Sequence, residues 1–145
     1  GAPYWDMDAR GIITGLTRGS NRNHIVRAAL ESIAYQVSDL LDAIFQDIDM
    51  NLSTLKVDGG ACANNFLMQF QADIIQLTID RPTNIESTAL GAGMLAGLGT
   101  GFWSHIGELQ NVRKTERMFT TEMADIERSA LLNRWKRAVK QAIPI

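Results

Sequence analysis

The run Leu55-Lys56-Val57 is short and apolar at both ends, and it is halted by Asp58-Gly59-Gly60 before a helical pattern begins. A strand that gives way to a helix within a few residues is the unit of which α/β layers are built. The rest of the sequence repeats that alternation. Arg10 to Thr17 is β-rich and bounded by turn residues, which predicts a short strand. Gly19, Ser20, Asn21 and Asn23 then offer capping side chains. A long helix is expected from about Asn23 to about Asp47. Its stripe of Val26, Leu30, Ile33, Val37, Leu40, Leu41 and Ile44 recurs at three- and four-residue steps, as one buried face requires. Glu31, Gln36, Asp39 and Asp42 fall between those positions.

A second helix follows from about Ala63 to Ile75, and Leu77 to Asp80 reads as a strand closed by Arg81-Pro82. A third helix begins near Ser87 or Thr88. Its Gly91, Gly93 and Gly97 each cost about 1 kcal/mol relative to alanine, so close backbone approach to a neighbour is the expected compensation. A final basic helix, about Ala124 to Ala142, places Ile126, Leu131, Leu132, Trp135, Ala138 and Val139 on one side. The order is strand, helix, strand, helix, strand, helix and a terminal helix. That is one α/β domain over residues 1–145, with no repeat or long linker dividing it.

The segment Val57 to Asn65 carries the most chemistry. Paired glycines let the backbone turn sharply and bring its amides near a ligand with no Cβ in the way. The helix behind them aims unpaired N–H groups and the positive end of its dipole into the same space, which suits a phosphate. Asn64, about one turn into that helix, offers both a donor and an acceptor to a nucleotide. The competing reading is a tight turn with a capping Asn and no ligand. No Gly-Lys-Ser/Thr follows, so this is not a Walker loop.

Other candidates have simpler explanations. Gly91-Ala92-Gly93 with Gly97 lies inside a helix rather than opening one after a strand, so close packing explains it better than a dinucleotide fingerprint. Asp6 and Asp8 could face Mg2+, but solvated loop carboxylates are the plainer account. His24 reads as a cap or packing residue rather than a base, His105 stands alone, and the basic face of the last helix reads as solvated. No Ser/His/Asp or Cys/His set is visible. The single cysteine, Cys62, cannot form an internal disulfide, and no Cys/His cluster has zinc spacing. A net charge of −2 gives no electrostatic footprint for nucleic acid, and no apolar run is long enough for a membrane helix. A cytoplasmic setting is the expectation. The opening Gly1-Ala2-Pro3-Tyr4-Trp5-Asp6 carries two large aromatics where a free terminus is usually polar, so the chain is expected to begin inside a domain.

Several of these segments together resemble a known family. Gly11-Ile12-Ile13-Thr14-Gly15-Leu16, then His24-Ile25-Val26-Arg27-Ala28-Ala29-Leu30-Glu31, resemble the second signature of the FGGY carbohydrate kinases. Within that family the resemblance is to glycerol-phosphorylating members. It is carried by Gly1 to Gly15, Gly15-Leu16-Thr17-Arg18-Gly19, Glu31 to Gln36, Val57 to Ala61, Asn64 to Gln71, Thr88 to Ala92 and Gly101-Phe102-Trp103. It thins between about Val112 and Ser129.

The resemblance implies part of an actin-like (ribonuclease-H-like) fold, a mixed sheet flanked by helices, with ATP held in a cleft between two such domains. It implies transfer of the γ-phosphoryl group of ATP, with Mg2+, to glycerol. Gly59, Gly60 and Asn64 are the nucleotide-binding residues that follow from it, Gly60 and Asn64 being the family's contact positions. The family's catalytic Asp, glycerol-binding residues and phosphate loop precede a GAPYWD segment, so no catalytic residue is expected here and the chain alone is expected to be inactive. The fold's first two strands are also expected to be missing, leaving a sheet edge open to self-association and a homo-oligomer. Another sugar or polyol kinase of the family, or a non-catalytic actin-like nucleotide-binding module, is the alternative.

Overall fold

Strand β2, Thr78–Pro82, is the middle of a three-stranded sheet in the computed structural model, which describes residues 3–48 and 51–143. Gly1 and Ala2 of the opening motif lie outside the described residues. β1, Thr54–Lys56, pairs with β2 in parallel, Leu55 opposite Ile79. The crossover between them passes through a 3-10 turn, Gly60–Ala63, and helix α2, Asn65–Ile75, close to the predicted span. The last strand, β3 (Thr115–Phe119), runs antiparallel to β2, with Ile79 opposite Phe119 and Arg81 opposite Arg117. The register slips between Arg81 and Pro82, where proline has no N–H to give the ladder.

Helix α1 spans Arg22–Asp47. Asn21 caps it by accepting from the backbone N–H groups of Asn23 and His24, and His24 Nδ1 accepts from the N–H of Asn21 at 3.1 Å. His24 is thus a capping residue. α3 covers Ser87–Gly99 and α4 Asp125–Ala142. No helix among the described residues is long and apolar enough to cross a membrane.

The core joins Ala34 and Tyr35 of α1, Leu67, Phe70, Ala72 and Ile74 of α2, Ile79 of β2 and Phe119 of β3. Trp135 of α4 closes it, stacked on Tyr35 with ring centroids 5.2 Å apart, while Phe70 meets Tyr35 edge-on at 5.5 Å.

Several sequence expectations do not survive. Residues 10–17 form no strand. They carry no regular structure up to Leu16 and are tied instead to α4. The Arg10 N–H donates to the Ala142 carbonyl (3.3 Å) and Thr14 Oγ1 donates to Gln141 Oε1 (2.9 Å). The buried face of α1 is Ala34, Tyr35, Ser38 and Asp39, whereas Val26, Ile33 and Leu40 of the predicted stripe are exposed. Asp39 is buried because its Oδ2 accepts from Tyr4 Oη (3.0 Å) and Trp135 Nε1 (2.6 Å), so its charge is satisfied.

No residue of α3 is buried, and Leu95 is 71% exposed. Close approach explains one of its glycines. A Cβ on Gly97 would lie 2.4 Å from the Trp103 ring, while one on Gly91 or Gly93 would meet nothing within 4 Å. Ile126 on α4 is 88% exposed and Trp5 76% exposed, so neither joins the core.

Candidate functional site

The junction after β1 is built by two constraints on a short loop. The Val57 N–H still donates to the Asp80 carbonyl (3.2 Å), holding the chain against β2 for one residue past the strand. Gly59 then takes φ 80° and ψ 167°, a backbone region open essentially to glycine alone. Its N–H donates to the Ile85 carbonyl at 2.7 Å, which fixes the turn against the loop before α3. The 3-10 turn Gly60–Ala63 follows, with the Cys62 N–H on the Gly59 carbonyl at 3.1 Å. The Cys62 side chain points into the core, and burial pushes its thiol up from the ordinary range. Gly60, Ala61, Ala63 and Asn64 face outward as an exposed shelf, and the position a Cβ of Gly60 would occupy is open space.

Asn64 is not inside the helix. At φ −81° and ψ 107° it is the residue immediately before α2, and its side chain accepts from the Leu67 N–H at 3.2 Å. The capping reading of Asn64 therefore holds at its Oδ1. Its Nδ2 donates to no protein group among the described residues. The glycine turn, the shelf and the start of α2 follow one another directly along the chain.

A residue that the sequence did not flag holds this junction from beneath. Arg81 of β2, 8% exposed, donates through Nη1 to the Cys62 carbonyl (2.9 Å), the Ala63 carbonyl (3.4 Å) and Asn65 Oδ1 (2.8 Å). Its Nε donates to Glu116 Oε2 at 2.6 Å, and its guanidinium lies 5.1 Å from the centroid of the Phe119 ring. The hydrogen bond from Arg81 holds the Glu116 carboxyl below its ordinary range. The available signal was a charged residue inside an otherwise strand-like run ending in proline.

The neighbouring Asp80 is a second buried tie. It accepts from Arg113 Nη1 (2.7 Å) and Thr115 Oγ1 (2.9 Å). Burial opposes its charge, but these two hydrogen bonds and the Arg113 charge outweigh it and hold the carboxyl below the usual range.

The remaining candidates serve locally. Asp6 Oδ1 accepts from the Asp8 and Ala9 N–H groups, and His105 makes only an exposed pair with Glu108. Among the described residues no three His, Cys, Asp or Glu side chains converge. A separate cavity of about 430 Å³ lies between residues 4–14, α1 and α4. Gly59, Gly60 and Asn64 do not line it, and Asp39 at its wall is already satisfied by Tyr4 and Trp135.

Residues 1–100 match the C-terminal domain model of the FGGY family of carbohydrate kinases. The chain is 58% identical over 141 residues to a glycerol kinase of Desulfitobacterium hafniense, covering 97% of this chain and 28% of that protein. It thus spans little more than a quarter of the length of such curated relatives. The crystal structure of Plasmodium falciparum glycerol kinase with ADP superposes on 99% of this chain and 29% of that one, with a TM-score of 0.86 at 36% identity. A ligand-bound xylulose kinase of Lactobacillus acidophilus shares the fold, at a TM-score of 0.73 and 22% identity over 97% of this chain and 28% of its own.

Proposed function

The chain belongs to the FGGY family of carbohydrate kinases, and on that premise we propose that it is the nucleotide-holding part of a glycerol kinase. The observation that carries the reading is the likeness to an ADP-bound glycerol kinase together with the exposed shelf of Gly60 and Asn64 at the start of α2. The α/β architecture, a mixed sheet with flanking helices, is part of the actin-like fold of those kinases. In this reading residues 1–145 form a single unit of the enzyme's carboxy-terminal domain.

The residues have separable roles. Gly59 sets the turn, Gly60 lets a nucleotide approach the backbone, and Asn64 offers its Nδ2 to the nucleotide while Oδ1 caps the helix. The amides and dipole of α2 favour the negative charge of the phosphates. The whole enzyme transfers the γ-phosphoryl group of ATP to glycerol in the cytoplasm. Such transfer depends on positioning both substrates and on charge stabilisation, with a base orienting the nucleophile. In this reading the base and the metal-binding groups belong to the rest of the polypeptide. The exposed apolar faces of α1 and α3 support contact with the rest of the enzyme or with a second copy, as a homo-oligomer.

The test compares two samples. The intact kinase polypeptide carrying these residues is expected to phosphorylate glycerol in preference to xylulose and gluconate. The isolated 145-residue chain is expected to show no glycerol phosphorylation and only weak ADP binding by calorimetry. Robust turnover by the isolated chain, or a sugar preferred over glycerol by the intact enzyme, overturns the reading.

A further inference from the structure

We propose that Arg81 is a positioning residue for nucleotide recognition, acting from beneath the junction that presents Gly60 and Asn64. The inference rests on the nucleotide reading of that shelf and assigns the device that sets its shape.

Asn64 stands between a 3-10 turn and an α-helix, where backbone carbonyls lose their regular partners. The carbonyls immediately before it, those of Cys62 and Ala63, both accept from Arg81 Nη1, and so does the side chain of Asn65 immediately after it. One nitrogen thereby touches both flanks of the residue whose amide faces outward. The guanidinium is a rigid plane with fixed donor directions, so these contacts set where the flanks lie and not merely that they lie near. Glu116 and the Phe119 ring hold the plane from the other side.

Stability alone is a poor account of this arrangement. A buried cation costs desolvation, and Glu116 is 46% exposed at its side chain, so the pair is only partly shielded from water. An apolar side chain would serve the interior of β2 as well. What it could not do is hold the carbonyls of Cys62 and Ala63 and the Asn65 side chain at once.

The experiment uses the intact kinase polypeptide, with Arg81→Met, Arg81→Lys, Asn64→Ala and the double variant Arg81→Met/Asn64→Ala. ADP affinity is read by calorimetry, and KM for ATP and for glycerol by steady-state kinetics, on protein whose folded fraction is checked by circular dichroism. Arg81→Met is expected to weaken ADP and raise KM for ATP by about tenfold, with KM for glycerol within about twofold. Arg81→Lys, which keeps the charge but not the fork, is expected to fall between. In the double variant the two losses are expected to be less than multiplicative, because both act through the same junction.

An Arg81→Met enzyme that binds ADP as wild type while Asn64→Ala weakens it overturns the inference and leaves the nucleotide site standing. Equal rises in both KM values also overturn it, since they point to general destabilisation. If Asn64→Ala leaves ADP binding unchanged, the nucleotide reading fails and this inference with it. Should Arg81→Met not fold, Arg81→Lys decides: unchanged ADP affinity in that variant overturns the proposal.

Discussion

Replacing Asn64 by Asp and by Ala should order stability one way and nucleotide affinity another. Asn64 Oδ1 accepts the Leu67 N–H at 3.2 Å, the bond that caps α2. Asp keeps an acceptor there and adds a charge that the helix dipole favours, so its stability should match or exceed that of Asn by a few tenths of a kcal/mol. Ala removes the cap and should cost about 1 kcal/mol. The free face of the residue is Nδ2. Losing one hydrogen bond from it to a nucleotide is worth about 0.5–1.5 kcal/mol, or roughly two- to tenfold in ADP affinity, which sets the loss expected of Ala.

Asp loses the same donor and also places a negative charge beside the phosphates, so it should bind ADP more weakly than Ala. Stability should thus run Asp, Asn, Ala, while affinity runs Asn, Ala, Asp. Thermal unfolding by circular dichroism and calorimetry with ADP, both on the intact kinase, give the two orders. Affinity that follows stability, or an Asp variant binding ADP as tightly as Asn, would refute the reasoning.

Two further measurements probe the packing. Both tyrosines of the chain are pushed up to about 12: Tyr4 by burial and then by its hydrogen bond to Asp39, Tyr35 by burial and then by the Glu31 charge. A raised value means that their contribution to stability is complete below the ordinary value of 10 and is lost as pH rises through about 12. Phenolate absorbance of the folded chain should therefore rise with a midpoint near 12, and a midpoint near 10 would show that neither ring is shielded. On α3, Gly93→Ala has open space and should stabilise the isolated chain by up to about 1 kcal/mol, whereas Gly97→Ala must displace Trp103 and should cost about 1–3 kcal/mol. Equal shifts of the two unfolding midpoints would contradict the Trp103 contact.

The parts of the fold that the sequence disclosed are those whose cause is local. β1, α2 and β2 were legible because the Asp58-Gly59-Gly60 break and the change of hydrophobic period lie within a few residues of one another. The cap at His24 was legible for the same reason. β3 was not, because Thr115 to Phe119 carries charges at Glu116 and Arg117 and buries only Phe119. It exists as a strand because β2 offers an edge and because Glu116 meets Arg81 across it.

The failure at residues 10–17 has the opposite origin. The β-prone composition was read correctly, but a strand needs a partner, and none lies beside these residues in the described structure. On α1 the apolar stripe misdirected the reading, since Asp39 is drawn inward by Tyr4 and Trp135, which lie 35 and 96 residues away. At the site, Gly59 was legible from its type, whereas Arg81 was not, because its partners (the Cys62 and Ala63 carbonyls, Asn65 and Glu116) lie 16 to 35 positions away.

The tie between residues 10–14 and the end of α4 also bears on the order in which the molecule assembles. Thr14 and Gln141 are 127 positions apart, so the segment made earlier is tied down only by one made much later. Closing a loop of that length is slow compared with forming α2 between β1 and β2. During synthesis the segment from Arg10 to Thr14 and the end of α4 therefore stay untied until residue 142 has left the ribosome. That interval is when a chaperone would find them.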